Sequence, residues 1–159
     1  MNNYRRADLM GRKHFGEDFD PYYITAGTED DTDRIDAYAT ARTNHNRTYA
    51  IEIKDYTNTQ HRREYIKFIH NGIDYGYQID YDKIEYLTNI SNEQGRIPIL
   101  YVRFNDYTIV WDLSNIDWKS RAKMVSVNKD GQNYGKEKEY ALQTYLYFNE
   151  NRWYKLTDN

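Results

Sequence analysis

Apolar and polar residues alternate with a period of two along two neighbouring stretches of the chain, residues 34–40 and residues 49–56. A period of two is typical of a strand that buries one face. Within the segment between them, residues 43–46, Thr-Asn-His-Asn, have the composition of a turn. The pattern therefore predicts an antiparallel hairpin over residues 34–56.

The second strand of this hairpin, YAIEIKDY at residues 49–56, carries an acidic and a basic residue on the same face. Successive side chains of a strand point to opposite sides, so Ile51 and Ile53 lie on one face and Glu52 and Lys54 on the other. Such a pair is common on an exposed strand, where it contributes less than about 1 kcal/mol to stability. The same two side chains are also what a metal-dependent catalytic site requires.

The rest of the chain contains further stretches with helical or strand periodicity, separated by Gly, Pro and Asn. The clearest helix runs over residues 80–95, where Ile84, Leu87 and Ile90 lie on one face and Gly95 ends the pattern. The other predicted elements are a helix over 4–15 interrupted by Gly11, an acidic loop over 16–33, a β-hairpin turning at Asn71-Gly72 (with a helix through 65–70 as the alternative), two central strands over 96–106 and 107–113, a loop over 114–130, and a helix or strand over 137–149.

This order of elements predicts an α/β fold of the mixed α+β kind, in which a central mixed β-sheet is flanked by helices. A length of 159 residues is enough for one domain with a substantial core, and the sequence contains no internal repeat or linker. We therefore expect a single domain over residues 1–159, with its core in about 30–115 and a basic extension over 116–159.

Composition removes several classes of protein. The chain has no Cys, which excludes disulfides and thiolate metal sites. It has no apolar run long enough to cross a membrane, and its N-terminus lacks the apolar segment of a signal peptide. Tyr alone contributes 18 residues, so the core is expected to contain many half-buried rings. We expect a soluble, cytoplasmic protein.

The charge of the chain is unevenly distributed, although its net value is only −3. Residues 1–36 carry a net charge of −4, and residues 118–129 contain four basic residues and no acid. A second basic cluster consists of Arg62, Arg63 and Lys67. An acidic region bordered by basic segments suits a metal site that acts on an anionic substrate, although an ordinary mixed surface explains the charges equally well.

A third charged residue, Asp36, belongs with the Glu52–Lys54 pair. Asp36 lies on the polar side of the first hairpin strand, 16 residues before Glu52, so the hairpin places it alongside the pair. Two carboxylates and the backbone carbonyl of Ile53 are the oxygen ligands that Mg²⁺ prefers, and a lysine can orient water or offset charge on a phosphoryl group. Asp33, with the opposite strand parity, is the alternative to Asp36.

The pattern Asp36-x15-Glu52-x-Lys54, on adjacent strands after a helix, resembles the PD-(D/E)XK nuclease superfamily. The following helix DKIEYLTNISNEQGR and strands IPILYVRFND and YTIVWDL are similar to those of small nuclease-like proteins from bacteriophages and gut bacteria, and they extend the resemblance over about residues 30–115. The proline of the family pattern is absent, since Ile35 precedes Asp36. The resemblance implies a restriction-endonuclease-like fold and hydrolysis of DNA with Mg²⁺ or Mn²⁺, RNA being the less favoured substrate.

The resemblance also implies further site residues and an assembly. Many members place an additional Glu on the first helix, for which Glu17 is the nearest match, and a polar residue at the position of Lys83. A nuclease this small would act as a homodimer, in the host cytoplasm or in a virion if a phage encodes it. From their charge, the residues expected to contact the DNA backbone are Arg62, Arg63, Lys119, Arg121 and Lys123.

A second hypothesis is a non-catalytic binding or structural module with the nuclease fold, such as a virion component. The sequence has no Gly-rich phosphate loop and no Ser or Cys nucleophile arrangement. The acidic run at residues 29–33 is expected to be a solvated loop. The histidines lack metal-binding spacing and are expected to be unrelated surface or turn residues; they are His14, His45, His61 and His70.

Overall fold

The computed structural model of the chain describes most of its residues, and these fall into two compact units. The first unit comprises Met1–Arg62, Leu87–Ile116 and Asn149–Asn159, and the second comprises Arg63–Tyr86 and Asp117–Phe148. The expectation of a single domain stays a prediction. The residues described are 3–19, 23–27, 34–56, 67–70, 73–104, 108–128, 138–148 and 150–151.

The described residues form both helices and strands, which confirms the mixed α+β class. A short 3₁₀ helix, Leu113–Asn115, follows the seventh strand. The remaining elements, in chain order, are α1 (Asn3–Phe19), β1 (Tyr23–Gly27), β2 (Ala37–Ala41), β3 (Thr48–Asp55), β4 (Lys67–His70), β5 (Ile73–Asp80), α2 (Tyr81–Gln94), β6 (Ile97–Arg103), β7 (Thr108–Asp112), β8 (Lys123–Asn128) and β9 (Lys138–Tyr147).

Five strands of the first unit form one mixed sheet in the order β1-β2-β3-β6-β7. β1, β2 and β3 pair antiparallel in succession, which confirms the predicted hairpin, whereas β3 and β6 run parallel. Among the described strands, β6 is internal, as predicted, whereas β7 is the last strand in the order, so its prediction as a central strand is wrong within the described part of the sheet. The cause is that Ile109, Val110 and Trp111 are all buried, and a continuous apolar run also fits an end strand whose faces are both covered.

The register of β3 determines where its polar residues lie. Ala37 of β2 pairs with Ile51, and Asp55 at the end of β3 pairs with Arg103 at the end of β6. Because β3 and β6 are parallel, their carboxyl ends meet at the same end of the sheet. Glu52, Lys54 and Asp55 are therefore next to the second half of β6, from Leu100 to Arg103.

α1 packs on one face of this sheet through aromatic side chains. Phe15 and Phe19 are almost fully buried, and their rings meet that of Tyr101 on β6 edge-on, with centroids 5.6 and 5.8 Å apart. Tyr23 and Tyr49 extend the cluster with a further edge-on contact at 5.5 Å. Buried aromatic area of this size is a major stabilising contribution to a small core, as the composition predicts.

α1 continues through Gly11, where the sequence pattern is interrupted, and it ends at Phe19. The expectation of an interrupted helix ending at residue 15 is therefore wrong. The helix approaches β3 very closely at Gly11, since a Cβ there would lie 2.8 Å from Cγ2 of Ile53 and 3.1 Å from Cβ of Asp55. The glycine thus permits helix–strand packing instead of breaking the helix.

Two short strands lie in segments that the sequence predicts as loops. β1 falls within 16–33 and β8 within 114–130, so the loop prediction is wrong over both strands. β1 pairs with β2, and β8 pairs with β9. Stabilisation by such pairing cannot be recognised from the local pattern of apolar and polar residues. The choice left open over 137–149 is resolved as β9, and residues 67–70 form β4 where a helix is the alternative.

The second unit contains an antiparallel sheet in the order β4-β5-β9-β8. β4 and β5 flank Asn71-Gly72 as the hairpin prediction requires, although these two residues lie outside the described part of the chain.

The predicted helix over 80–95 is confirmed as α2, and it is followed by Gly95 in the left-handed conformation with φ 66°. Among the described residues, no helix is long and apolar enough to cross a membrane.

Candidate functional site

Asp36 lies immediately before β2 and uses its side chain to complete the edge of the β2–β3 ladder. Its N–H donates to the carbonyl of Ile51 at 3.2 Å. Its carboxylate Oδ2 accepts a hydrogen bond of 2.8 Å from the backbone N–H of Ile53. A regular antiparallel ladder would supply a main-chain carbonyl at this point, so the Asp36 carboxylate replaces a backbone acceptor. These two hydrogen bonds to the backbone of β3 therefore hold the Asp36 carboxylate beside Ile53.

Glu52 and Lys54 flank Ile53 on β3 and point to the same side of the sheet, as predicted. Nζ of Lys54 lies 3.6 Å from Oε1 of Glu52. The Glu52 side chain is 13% exposed and the Lys54 side chain 26% exposed. A solubility pair on an open strand face would be far more exposed, so these residues are not merely a solvated surface.

The three predicted residues thus meet at one short segment of β3. Glu52 and Lys54 belong to this segment, and the carboxylate of Asp36 accepts a hydrogen bond from the residue between them. Ile53 also presents its carbonyl on the side of its N–H, since the two groups of one strand residue point the same way. Convergence of both carboxylates on one metal ion stays a prediction.

The donor chemistry of this set fits a hard divalent cation. Asp36, Glu52 and the Ile53 carbonyl offer only oxygen ligands, which Mg²⁺ and Mn²⁺ prefer. Within the described ranges there is no group of three or more His, Asp and Glu side chains arranged to hold a metal. A metal here would therefore depend on two carboxylates, the backbone carbonyl, water and substrate oxygens.

Arg12 on α1 adds a positive charge that the sequence pattern does not reveal. Its Nη2 lies 3.6 Å from Oδ1 of Asp36, and both side chains are partly buried. Arg12 directly follows Gly11, so the close approach of α1 to β3 delivers the guanidinium to Asp36. No local pattern relates residue 12 to residue 36, because the contact depends on how the helix lies on the sheet.

A second polar pair joins α1 to the end of β3. Nδ1 of His14 lies 2.6 Å from Oδ2 of Asp55, whose side chain is only 1% exposed. The expectation that His14 is an unrelated surface residue is wrong, because the buried carboxylate needs a partner and His14 faces it. One sequence signal is available: Asp55 shares the strand parity of Ile51 and Ile53, so it points into the core.

A third contact involves Asp18 near the end of α1 and the last part of β6. Oδ2 of Asp18 accepts a hydrogen bond of 2.5 Å from the Tyr101 hydroxyl and lies 3.3 Å from Nη1 of Arg103. Burial raises the pKa of Tyr101 well above its ordinary value, and the hydrogen bond to the Asp18 carboxylate raises it further. Tyr101 is therefore held in its neutral form.

This raised pKa predicts loss of stability at alkaline pH. A tyrosine whose folded-state pKa exceeds the unfolded value of about 10 contributes stability that is full below that pH and is lost as pH rises above it. Between about pH 9 and pH 11, the free energy of unfolding should fall less steeply in Tyr101→Phe than in the wild type. Urea unfolding at several pH values measures this, and equal slopes in the two proteins would contradict it.

Glu17 and Lys83, the two possible helper residues, are both on helices. Glu17 lies in α1 and not in a loop, and its side chain is 60% exposed, with Oε1 4.0 Å from Nζ of Lys13. Among residues 9–19 of α1, the buried positions are Gly11, Phe15 and Phe19, so Glu17 is on the outward side. Lys83 is exposed in the first turn of α2 and belongs to the second unit.

The predicted DNA-contacting residues that can be described also belong to the second unit. Lys119 lies over the ring of Trp118 at 5.5 Å, and Lys123 lies over that of Tyr145 at 5.1 Å. Arg121 lies 4.2 Å from the ring centroid of Tyr147 and donates from Nη1 to the Tyr145 carbonyl at 3.1 Å. These contacts orient the three cations. Arg62 and Arg63, and the alternative acid Asp33, fall outside the described residues.

Comparison with protein families, with curated proteins and with solved structures found no match to this chain. Its function is therefore inferred from the residues and their geometry.

Proposed function

We propose that the chain is a metal-dependent nuclease of the PD-(D/E)XK type that hydrolyses phosphodiester bonds of DNA. The observation that carries the proposal is the carboxylate of Asp36 bonded to the backbone of Ile53, between the half-buried side chains of Glu52 and Lys54. The element order also supports the proposal, since α1 precedes the β2–β3 hairpin, and α2 and β6 follow it after β4 and β5.

In this proposal each residue of the site has a separate role in hydrolysis. Water attacks phosphorus, the bond from phosphorus to the leaving sugar oxygen breaks, and that oxygen takes up its electron pair and a proton. Asp36, Glu52 and the Ile53 carbonyl would hold Mg²⁺ or Mn²⁺, which when bound offsets phosphate charge and makes water more acidic. The Lys54 ammonium donates a hydrogen bond to the attacking water or to a phosphoryl oxygen.

The substrate and assembly follow from the same proposal. DNA is favoured over RNA, and Lys119, Arg121 and Lys123 would bind its phosphates. The chain would act as a homodimer in a host cytoplasm or a virion.

One observation favours a second candidate, a non-catalytic binding or structural module. Asp36 already accepts a backbone hydrogen bond and lies near the guanidinium of Arg12, so its charge is balanced without a metal ion. In that case the constellation would only stabilise the join between α1, β2 and β3.

Cleavage assays and calorimetry separate the two candidates. The purified protein should cleave plasmid DNA with Mg²⁺ or Mn²⁺ and not with EDTA. Titration with Mg²⁺ should release or absorb heat in the wild type and in the control Glu93→Ala, an exposed residue of α2, and not in Glu52→Ala. Absence of both cleavage and binding heat in the wild type would favour the module and exclude the nuclease.

A further inference from the structure

Arg12 is a half-buried cation beside the proposed site, and its hydrogen-bonding capacity is barely used. Its guanidinium offers five N–H donors in a planar fork. The distance of 3.6 Å to Asp36 is that of an ion pair and is too long for a hydrogen bond. In the described part of the chain, Arg12 has no closer polar partner. A partly buried guanidinium whose N–H groups are not taken up by the described protein groups is suited to bind an anion.

The position of Arg12 is fixed from both sides along α1. On one side, Gly11 lies against Ile53 and Asp55 so closely that no side chain fits. On the other side, two residues further on, His14 is bonded to the buried carboxylate of Asp55 at 2.6 Å. These contacts hold the helix turn that carries Arg12 on β3, so the guanidinium is placed at Asp36 before any ligand binds.

Asp36 alone does not account for this arrangement. Its carboxylate takes the Ile53 N–H at 2.8 Å through one oxygen, and Arg12 approaches the other oxygen only loosely. An arginine that served solely to neutralise Asp36 would gain most from a two-pronged hydrogen-bonded pair, which is the preferred geometry with a carboxylate. At the observed distance of 3.6 Å from Asp36, the N–H groups of Arg12 can donate hydrogen bonds to another oxyanion.

From this geometry we infer that Arg12 binds the phosphate group of the substrate, with its N–H groups donating to the non-bridging oxygens of a nucleic-acid phosphodiester. This inference rests on the proposed function, because it makes Arg12 the phosphate ligand of the same site. It names a residue that lies outside the Asp36–Glu52–Lys54 pattern. It also specifies the recognised chemistry, an anionic phosphodiester held next to the acidic residues.

The test compares Arg12→Ala and Arg12→Lys with Lys13→Ala. Lys13 is the neighbouring cation on α1, its side chain is 65% exposed, and it pairs with Glu17 at 4.0 Å, so it is a matched control for loss of one positive charge. Fluorescence anisotropy measures the Kd for a short fluorescein-labelled DNA duplex in EDTA at fixed ionic strength. Arg12→Ala should weaken binding about 10- to 100-fold, the range for hydrogen bonds to a charged group. Arg12→Lys should be intermediate and Lys13→Ala close to the wild type.

The outcomes distinguish failure of the inference from failure of the proposed function. If the wild type cleaves DNA while Arg12→Ala and Arg12→Lys bind the duplex as tightly as Lys13→Ala does, the inference is overturned and the nuclease stands. The inference is likewise overturned if the Arg12 variants lose only thermal stability. If the duplex binds in an Arg12-dependent manner but is never cleaved with Mg²⁺ or Mn²⁺, the phosphate site stands and the nuclease falls. If the wild type binds no duplex, both fall. Should Arg12→Ala fail to fold, Arg12→Lys decides.

Discussion

Replacement of Lys54 by alanine is expected to reduce DNA cleavage by roughly 100- to 1,000-fold, the usual loss when one charge-stabilising donor is removed from an active site. The proposal gives the Lys54 ammonium a role only while charge develops on the phosphoryl group. The variant should therefore lose turnover number, with little change in the substrate concentration for half-maximal rate. Initial rates of DNA cleavage in Mg²⁺ at several DNA concentrations measure both quantities.

The control for this prediction is Lys13→Ala, which removes an exposed lysine from the outward side of α1 and should cleave at the wild-type rate. Lys54→Ala should fold normally, because the Lys54–Glu52 pair is separated by 3.6 Å and such partly exposed pairs contribute at most about 1 kcal/mol. A circular dichroism melt of both variants verifies folding. Cleavage by Lys54→Ala within about twofold of the wild type would remove Lys54 from the mechanism.

The parts of the fold that the sequence predicts well are those with a local periodic signal. α2 is an example, because Ile84 and Leu87 face the core and Gly95 provides the left-handed residue that follows the helix. The β2–β3 hairpin is another, and the parity of Glu52 and Lys54 follows directly from it. In both cases neighbours in sequence are also neighbours in the element, so short-range pattern is sufficient.

The parts that could not be predicted depend on contacts between distant segments. β1 lies among acidic residues and ends at Gly27, and its strand conformation comes from pairing with β2. The local pattern indicates an interruption at Gly11, because it cannot show that β3 will lie against this residue. A helix glycine has the same sequence signature whether it breaks the helix or permits packing.

The candidate site divides in the same way. Asp36, Glu52 and Lys54 follow from spacing and strand parity alone. Arg12 and His14 cannot be found in this way. Arg12 lies near Asp36, and His14 near Asp55, only because α1 packs on the sheet. The pair of His14 with Asp55 joins residues 41 positions apart, a separation at which no periodicity is informative.

Gly11→Ala is expected to cause the largest loss of stability among the substitutions considered, about 1–3 kcal/mol. The added methyl group would lie 2.8 Å from Cγ2 of Ile53 and 3.1 Å from Cβ of Asp55, and the branched Ile side chain has few alternative rotamers. In an exposed helix position the same substitution would stabilise by up to about 1 kcal/mol, because alanine is the better helix former. The sign of the effect therefore reports the packing of α1 on β3. Urea unfolding followed by circular dichroism measures it.

Gly16→Ala is the matched control within the same helix. A Cβ at Gly16 would meet no atom within 4 Å, so the helix preference of alanine acts alone and the variant should be slightly more stable than the wild type. If Gly11→Ala were as stable as Gly16→Ala, the close packing of α1 on β3 would be refuted. Opposite signs would mean that α1 must shift to accept a methyl group at residue 11. Such a shift would also move Arg12 from Asp36, so Gly11→Ala should weaken duplex binding while Gly16→Ala leaves it unchanged.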